Sequence, residues 1–210
     1  MKKISCLMLD MGGVLTMEQS EPRVAEIIEL LGSGFTRESF FSSYWRHRFD
    51  YDRGSIDSAA YWGLITAELG SRHSVSLLAD LVRLDLQSWY NMRQGMLDFL
   101  GGIQGAVRRL VLLSNVNVDG ARYLRSPAGR PWSSRFDELV LSCEHGLLKP
   151  EIEIYELALD AAGALPGETL FVDDNPDNVE GALRAGMSSF RFTDETDFCL
   201  RLERDFELGN

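Results

Sequence analysis

Short apolar runs alternate with helical patterns along most of this chain, and that alternation constrains its fold more than any other feature. Ile4–Leu9, Leu110–Leu113, Leu139–Leu141, Thr169–Val172 and Ser189–Phe192 are too short for helices and read as buried strands. Met96–Val107, Glu151–Ala162 and Asn178–Ala185 read as the helices between them. A strand, a helix and a further strand make a right-handed crossover, so the pattern predicts an α/β fold with a Rossmann-like parallel sheet and helices on both faces. In such sheets ligands bind beyond the carboxyl ends of the strands.

Residues 18–92 break the rhythm. Pro22–Leu31, Arg37–Phe49, Ile56–Leu69 and Ser74–Tyr90 carry amphipathic helical patterns and little that reads as strand. Gly32-Ser33-Gly34, Asp52-Arg53-Gly54 and Gly70-Ser71 mark turns between them. The expected organisation is a Rossmann-like core from residues 1–17 and 93–210, with 18–92 as an inserted α-helical cap over the strand ends. The tail, Asp194–Asn210, reads as a final helix with a loose end.

The polar residues that end these strands carry the chemistry. Asp10 closes the first apolar run and is followed by Met11-Gly12-Gly13-Val14. A carboxylate where a buried strand breaks into a glycine turn is exposed and fixed, which suits a covalent nucleophile and a metal ligand. Ser114-Asn115 ends the second run, where a hydroxyl and main-chain N–H groups can bind phosphate oxygens. Lys149 precedes Pro150 and a helix, and can neutralise a phosphoryl oxygen. Asp173-Asp174-Asn175-Pro176 ends the fourth run, with Asn175 and Pro176 suited to the cap and first position of the next helix. Hard oxygen ligands at a phosphate site suit Mg²⁺. Asp10, Asp173 and Asp174 against Lys149 leave the empty site near −2, so a phosphate dianion needs a divalent cation there.

The whole chain narrows the partners. Its formal charge of −11 over 210 residues argues against nucleic acid or an anionic membrane surface. No stretch approaches the roughly 20 apolar residues of a membrane span, and the Lys2-Lys3 start leads into Asp10 and glycines rather than a cleavage site. Three cysteines without metal-ligand spacing suit a reducing compartment. The expectation is a cytoplasmic monomer or homodimer acting on a small phosphorylated metabolite.

The four strand-end motifs in this order resemble the haloacid dehalogenase (HAD) superfamily of aspartate-nucleophile hydrolases. Leu147-Leu148-Lys149-Pro150-Glu151 and Phe171-Val172-Asp173-Asp174-Asn175-Pro176-Asp177-Asn178 carry the resemblance most strongly. Ser114-Asn115-Val116-Asn117 is similar to the branch that includes bacterial α-glucose-1-phosphatase-like enzymes, as are Tyr44-Trp45-Arg46, Arg53-Gly54 and Tyr61-Trp62. The resemblance implies that Asp10 is nucleophile and metal ligand, and that the Gly12 carbonyl also binds Mg²⁺. It implies that Ser114 and the Asn115 N–H bind phosphate, and that Lys149 bridges phosphate and Asp10. Asp174 is the favoured inner metal ligand, with Asp173 binding or supporting. Tyr44, Trp45, Arg46, His47 and Trp62 are candidates to line a substrate pocket, Arg46 as a phosphate contact.

Gly12 departs from the pattern, because most phosphatases of the superfamily carry a second Asp there as general acid and base. Glu18, His47 and His145 are candidate substitutes, and an anomeric phosphate is a substrate that needs the acid less. The leading expectation is a Mg²⁺-dependent phosphatase of a small phosphomonoester, a sugar phosphate by this reasoning, acting through an aspartyl phosphate. A non-catalytic or regulatory member of the fold and a metal-independent dehalogenase are the alternatives.

Overall fold

The computed structural model describes residues 1–210 apart from Ser33, Arg72, His73 and Asn210. The chain starts with β1 (Lys2–Ile4) and β2 (Cys6–Leu9), then a tight turn over Met11–Leu15. Five helices follow: α1 (Glu21–Leu31), α2 (Arg37–Arg46), α3 (Arg48–Arg53), α4 (Ser58–Leu69) and α5 (Val75–Trp89). The chain returns through α6 (Gln94–Ile103) to β3 (Arg109–Ser114), α7 (Val118–Arg125), α8 (Arg130–Ser133), β4 (Glu138–Leu141) and α9 (Ser142–His145). It ends with α10 (Ile152–Ala162), β5 (Thr169–Asp173), α11 (Pro176–Arg184), β6 (Ser188–Arg191), α12 (Glu195–Asp205) and β7 (Phe206–Leu208).

The main sheet has the order β4-β3-β2-β5-β6, every neighbouring pair parallel. β2 lies at the centre, and the chain builds outward on one side before crossing to the other, so the switch in direction falls beside Asp10. Alternation along β2 sends Leu7 and Leu9 to one face and Cys6 and Met8 to the other. The first pair packs with Met96 and Leu100 of α6 and Phe198 and Leu202 of α12. The second packs with Ile154, Tyr155 and Ala158 of α10 and Ala182 of α11. Burial on both faces explains why these strands read as continuous apolar runs.

The helices α1 to α5 enclose a separate apolar cluster, with Val24, Ile27, Phe40, Tyr61, Trp62 and Leu81 at its centre. Thr36, Asp57 and Ser74 cap α2, α4 and α5 by accepting from the third backbone N–H beyond them.

Several expected boundaries move. The run Ile4–Leu9 is broken at Ser5, and its first part pairs with β7 in a two-stranded parallel sheet. The tail beyond α12 is therefore a strand to Leu208 rather than a loose end; Asn210 lies outside the described residues. The stretch Arg37–Phe49 divides at His47 into α2 and α3. The helix α7, capped by Asn117, was not among the expected elements.

Candidate active site

β2 carries Asp10 to the edge of the sheet, where its N–H still donates to the Val172 carbonyl at 3.0 Å. The strand register therefore fixes the backbone, while the side chain lies past the last strand pair. The chain must then turn sharply, and Gly13 takes φ +71° to do so. A Cβ on Gly13 would also meet the side chain of Asp174, 2.5 Å from its Cγ, so only glycine fits there. Gly12 differs: at φ −66° and ψ 130° it has an ordinary extended conformation, and a Cβ would meet nothing within 4 Å. The backbone does not require glycine at the position where a second Asp is absent.

Lys149 is the electrostatic centre. Its ammonium lies 2.7 Å from Asp10 Oδ1 and 2.6 Å from Asp173 Oδ2, and donates to the Leu113 carbonyl at 3.0 Å. All three donors of the group are thus engaged. Burial opposes the charge on Lys149, but Asp10 and then Asp173 outweigh it and hold the lysine above its usual range. Asn115 fixes its backbone: the amide oxygen accepts from Lys149 N at 2.8 Å and the amide nitrogen donates to Lys149 O at 3.0 Å. Glu151, not Pro150, is the residue that precedes the first turn of α10.

The adjacent carboxylates of β5 have different surroundings. Asp173 is fully buried and accepts from Lys149, from Asn175 N at 2.8 Å and from Asn178 Nδ2 at 3.1 Å. Asp174 faces the Gly13 turn and the open cavity. Pleating sends neighbouring residues to opposite sides, which gives the two carboxylates different neighbours. Asn175 caps α11 by accepting from Asp177 N, so neither aspartate is needed as the cap.

One carboxylate oxygen each from Asp10, Asp173 and Asp174 can be chosen so that all lie within 4.8 Å of one another. Burial raises the Asp10 carboxyl to about 7, opposed by Lys149 and reinforced by Asp173. Asp174 is raised by burial and then by Asp173. Carboxylates crowded in this way against a single lysine fit a small hard cation, and their oxygen-only donors suit Mg²⁺.

These residues open into a cavity of about 440 Å³ beneath the five-helix layer, lined by Asp10, Gly12, Ser114, Asn115, Lys149 and Asp174 on the sheet side. Arg48, Asp52, Asp85, Gln19, Trp45 and Trp89 line the opposite side. Of the residues expected from the helical stretches, Trp45 reaches the cavity. Arg46 does not: it points to Glu68 at 3.2 Å on the outer surface, where Glu68 also holds His47 at 2.8 Å. Trp62 is enclosed in the apolar cluster, and Tyr44 is buried with its hydroxyl donating to Asp85 at 2.6 Å. Glu18 lines the cavity, whereas His47 and His145 do not.

Sequence reasoning missed Arg48, Asp52 and Asp85. Arg48 Nε donates to both oxygens of Asp52 at 2.9 and 3.0 Å, and its Nη1 reaches Asp85 at 3.3 Å and the Tyr44 hydroxyl. The available signal was Asp85 itself, a lone acid between Leu84 and Leu86 on the apolar face of a helix. Buried charge there requires a partner.

The helical layer is tied down beside the site. Tyr51 donates to Asp119 at 2.5 Å, Ser142 donates to the Asp52 carbonyl at 2.5 Å, and Arg53 pairs with Glu151 and the Gly146 carbonyl. The loop that holds Lys149 is therefore also a seat for α3.

A family model of haloacid dehalogenase-like hydrolases matches residues 4–186. D-ribitol-5-phosphate phosphatase of Bacteroides thetaiotaomicron is 32% identical over 99 residues, covering 45% of this chain and 48% of that protein. The chain spans half or less of the length of the first curated relatives it matches. Among solved structures, a HAD family enzyme of B. thetaiotaomicron superposes with a TM-score of 0.79 at 25% identity, covering 95% of this chain and 100% of that one. The same enzyme in complex with magnesium and inorganic phosphate gives 0.72 at 23% identity, covering 90% and 94%.

Proposed function

For this chain, which belongs to the haloacid dehalogenase-like hydrolase family, we propose a Mg²⁺-dependent phosphatase acting on a small phosphomonoester. The observation that carries the reading is Lys149 held between Asp10 and Asp173, with Asp174 open to the same cavity. In this reading Asp10 is the nucleophile. One of its carboxylate oxygens attacks phosphorus, the ester oxygen leaves on the far side, and the phosphoryl group becomes an aspartyl phosphate. Water then attacks that phosphorus, which returns the Asp10 carboxylate and releases phosphate. Lys149 neutralises charge as it builds on the phosphoryl oxygens, and its bonds to Asp173 and Leu113 fix it beforehand. Ser114 and the Asn115 N–H hold the remaining phosphoryl oxygens.

Asp10, Asp174 and the Gly12 carbonyl would hold Mg²⁺, with Asp173 supporting from behind because its oxygens already accept from Lys149, Asn175 and Asn178. Bound Mg²⁺ supplies the positive charge that draws a phosphate dianion into a site otherwise near −2. Residues 18–92 act as the cap and residues 1–17 with 93–210 as the catalytic core. No side chain at position 12 protonates the departing oxygen. The chemistry therefore favours leaving groups that depart readily as anions, an anomeric sugar phosphate among them. The similarity to a ribitol phosphate phosphatase supports a polyhydroxylated substrate. The reading places the enzyme in the cytoplasm, in keeping with three unbridged cysteines.

The test is phosphate release from sugar and polyol phosphates and p-nitrophenyl phosphate, with Mg²⁺ and with EDTA, beside Asp10→Asn. Metal-dependent release lost in the variant supports the reading. Silence of the intact protein on the whole panel favours a non-catalytic member of the family.

A further inference from the structure

The side of the cavity facing Asp10 holds an unusual charge arrangement. Arg48, Asp52 and Asp85 are 7, 8 and 3% exposed, yet all three line the cavity. The guanidinium is shared between the two carboxylates, through Nε to Asp52 and through Nη1 to Asp85. Its charge is therefore already used within the protein, and the group as a whole carries a formal −1. Neither lysine nor further arginine lines this cavity beyond Lys149 and Arg48 among the described residues. A second anionic group on a substrate would meet net negative charge in a low-dielectric enclosure, which is strongly unfavourable.

The same wall carries hydrogen-bond acceptors. Arg48 and Tyr44 occupy only part of the lone pairs of Asp52 and Asp85, and Gln19, whose amide nitrogen donates to Tyr44 and Ser88, adds its amide oxygen. Such acceptors suit hydroxyls, which donate to them. Arg48 lies over the ring of Trp89, 5.6 Å from its centre, which occupies that aromatic face. The half-exposed Trp45 leaves an apolar surface for the C–H face of a carbon chain or ring.

We propose that Arg48, Asp52 and Asp85 form the recognition wall for the leaving group, which selects an uncharged, hydroxyl-bearing alcohol and rejects one carrying a second anion. The inference rests on the phosphatase reading above and adds the chemistry of the alcohol.

The test compares pairs of substrates with the same carbon chain in the Mg²⁺-loaded enzyme. Glucitol 6-phosphate is set against 6-phosphogluconate, and fructose 6-phosphate against fructose 1,6-bisphosphate, with phosphoethanolamine for the cationic case. The neutral member of each pair is expected to have the higher kcat/KM by at least roughly tenfold, through KM. Asp85→Asn and Asp52→Asn, each checked for folding by circular dichroism, are expected to narrow that ratio by roughly tenfold by removing one negative charge. Equal kcat/KM within the pairs, or a preference for the anionic member or for phosphoethanolamine, overturns the proposal. So do folded variants with an unchanged ratio. If both variants fail to fold, the ratios of the intact enzyme decide alone. Turnover of p-nitrophenyl phosphate without discrimination sinks this inference and spares the phosphatase reading. No turnover of any substrate sinks both.

Discussion

Gly12→Asp is the most informative single change, because the structure says both that it fits and what it should do. Position 12 has φ −66° and open space within 4 Å of a built Cβ, so an aspartate enters without backbone strain. It would stand beside Asp10, Asp173 and Asp174, opposed only by Lys149. A like charge about 5 Å away at an effective dielectric of about 20 costs roughly 3 kcal/mol, so the new carboxyl is driven toward its protonated form near neutral pH. That is the form a general acid needs. General acid–base help is worth typically 10² to 10⁴ in rate. The crowding also weakens metal binding, so we expect the lower end: kcat on an alkyl phosphate rises about 10²-fold. For p-nitrophenyl phosphate, whose phenolate leaves without help, the change should be only a few-fold. Steady-state kinetics at saturating Mg²⁺ measure both. A folded Gly12→Asp protein that keeps turnover of p-nitrophenyl phosphate but gains nothing on alkyl phosphates would falsify the claim that position 12 limits the reaction. Gly13→Asp is the opposite control, since a side chain there collides with Asp174 and should abolish turnover.

Three further outcomes follow from the same geometry. Lys149→Met leaves Asp10 and Asp173 buried without their cation and should cost about 3–5 kcal/mol in a urea titration as well as all activity; a loss under about 1 kcal/mol refutes the pairing. In metal-free protein, the folded Asp10 carboxyl near 7 binds a proton that the unfolded chain has already lost, so stability should fall as pH rises from about 4 to 7. Asp10→Asn should flatten that slope, and an unchanged slope rules out Asp10 as its source. Arg53→Ala removes a half-exposed pair to Glu151, so stability should change by about 1 kcal/mol or less. Its kcat/KM should nonetheless fall several-fold as α3 loosens from the loop of Lys149, and an undiminished kcat/KM would show that this contact does not position the cap.

The sequence by itself determined the sheet and the polar groups at the strand-end side of the cavity. Strands buried on both faces must be apolar throughout, so the four polar points that end or follow them stand out, and a parallel sheet brings such ends to one edge. Asp10, Ser114, Lys149 and Asp174 were legible for that reason. Lys149 was legible for another as well: the chain has three lysines, and the other two, Lys2 and Lys3, lie in β1. The tertiary structure decided what local pattern could not. Arg46 and Arg48 are two residues apart, but Arg46 ends α2 and Arg48 begins α3, so the break at His47 sets the side to which each turns. Sequence singled out the first, whereas packing put the first against Glu68 and the second into the cavity. Asp85 lies 37 positions from Arg48, so its partner was set by the packing of α5 against α2 and α3 rather than by spacing. The contrast between the enclosed Asp173 and the open Asp174 was likewise a matter of what surrounds each carboxylate, and those neighbours come from β2, the Lys149 loop and α11. Motifs fix which groups are present at a strand end; only the folded chain fixes which of them keep a free lone pair.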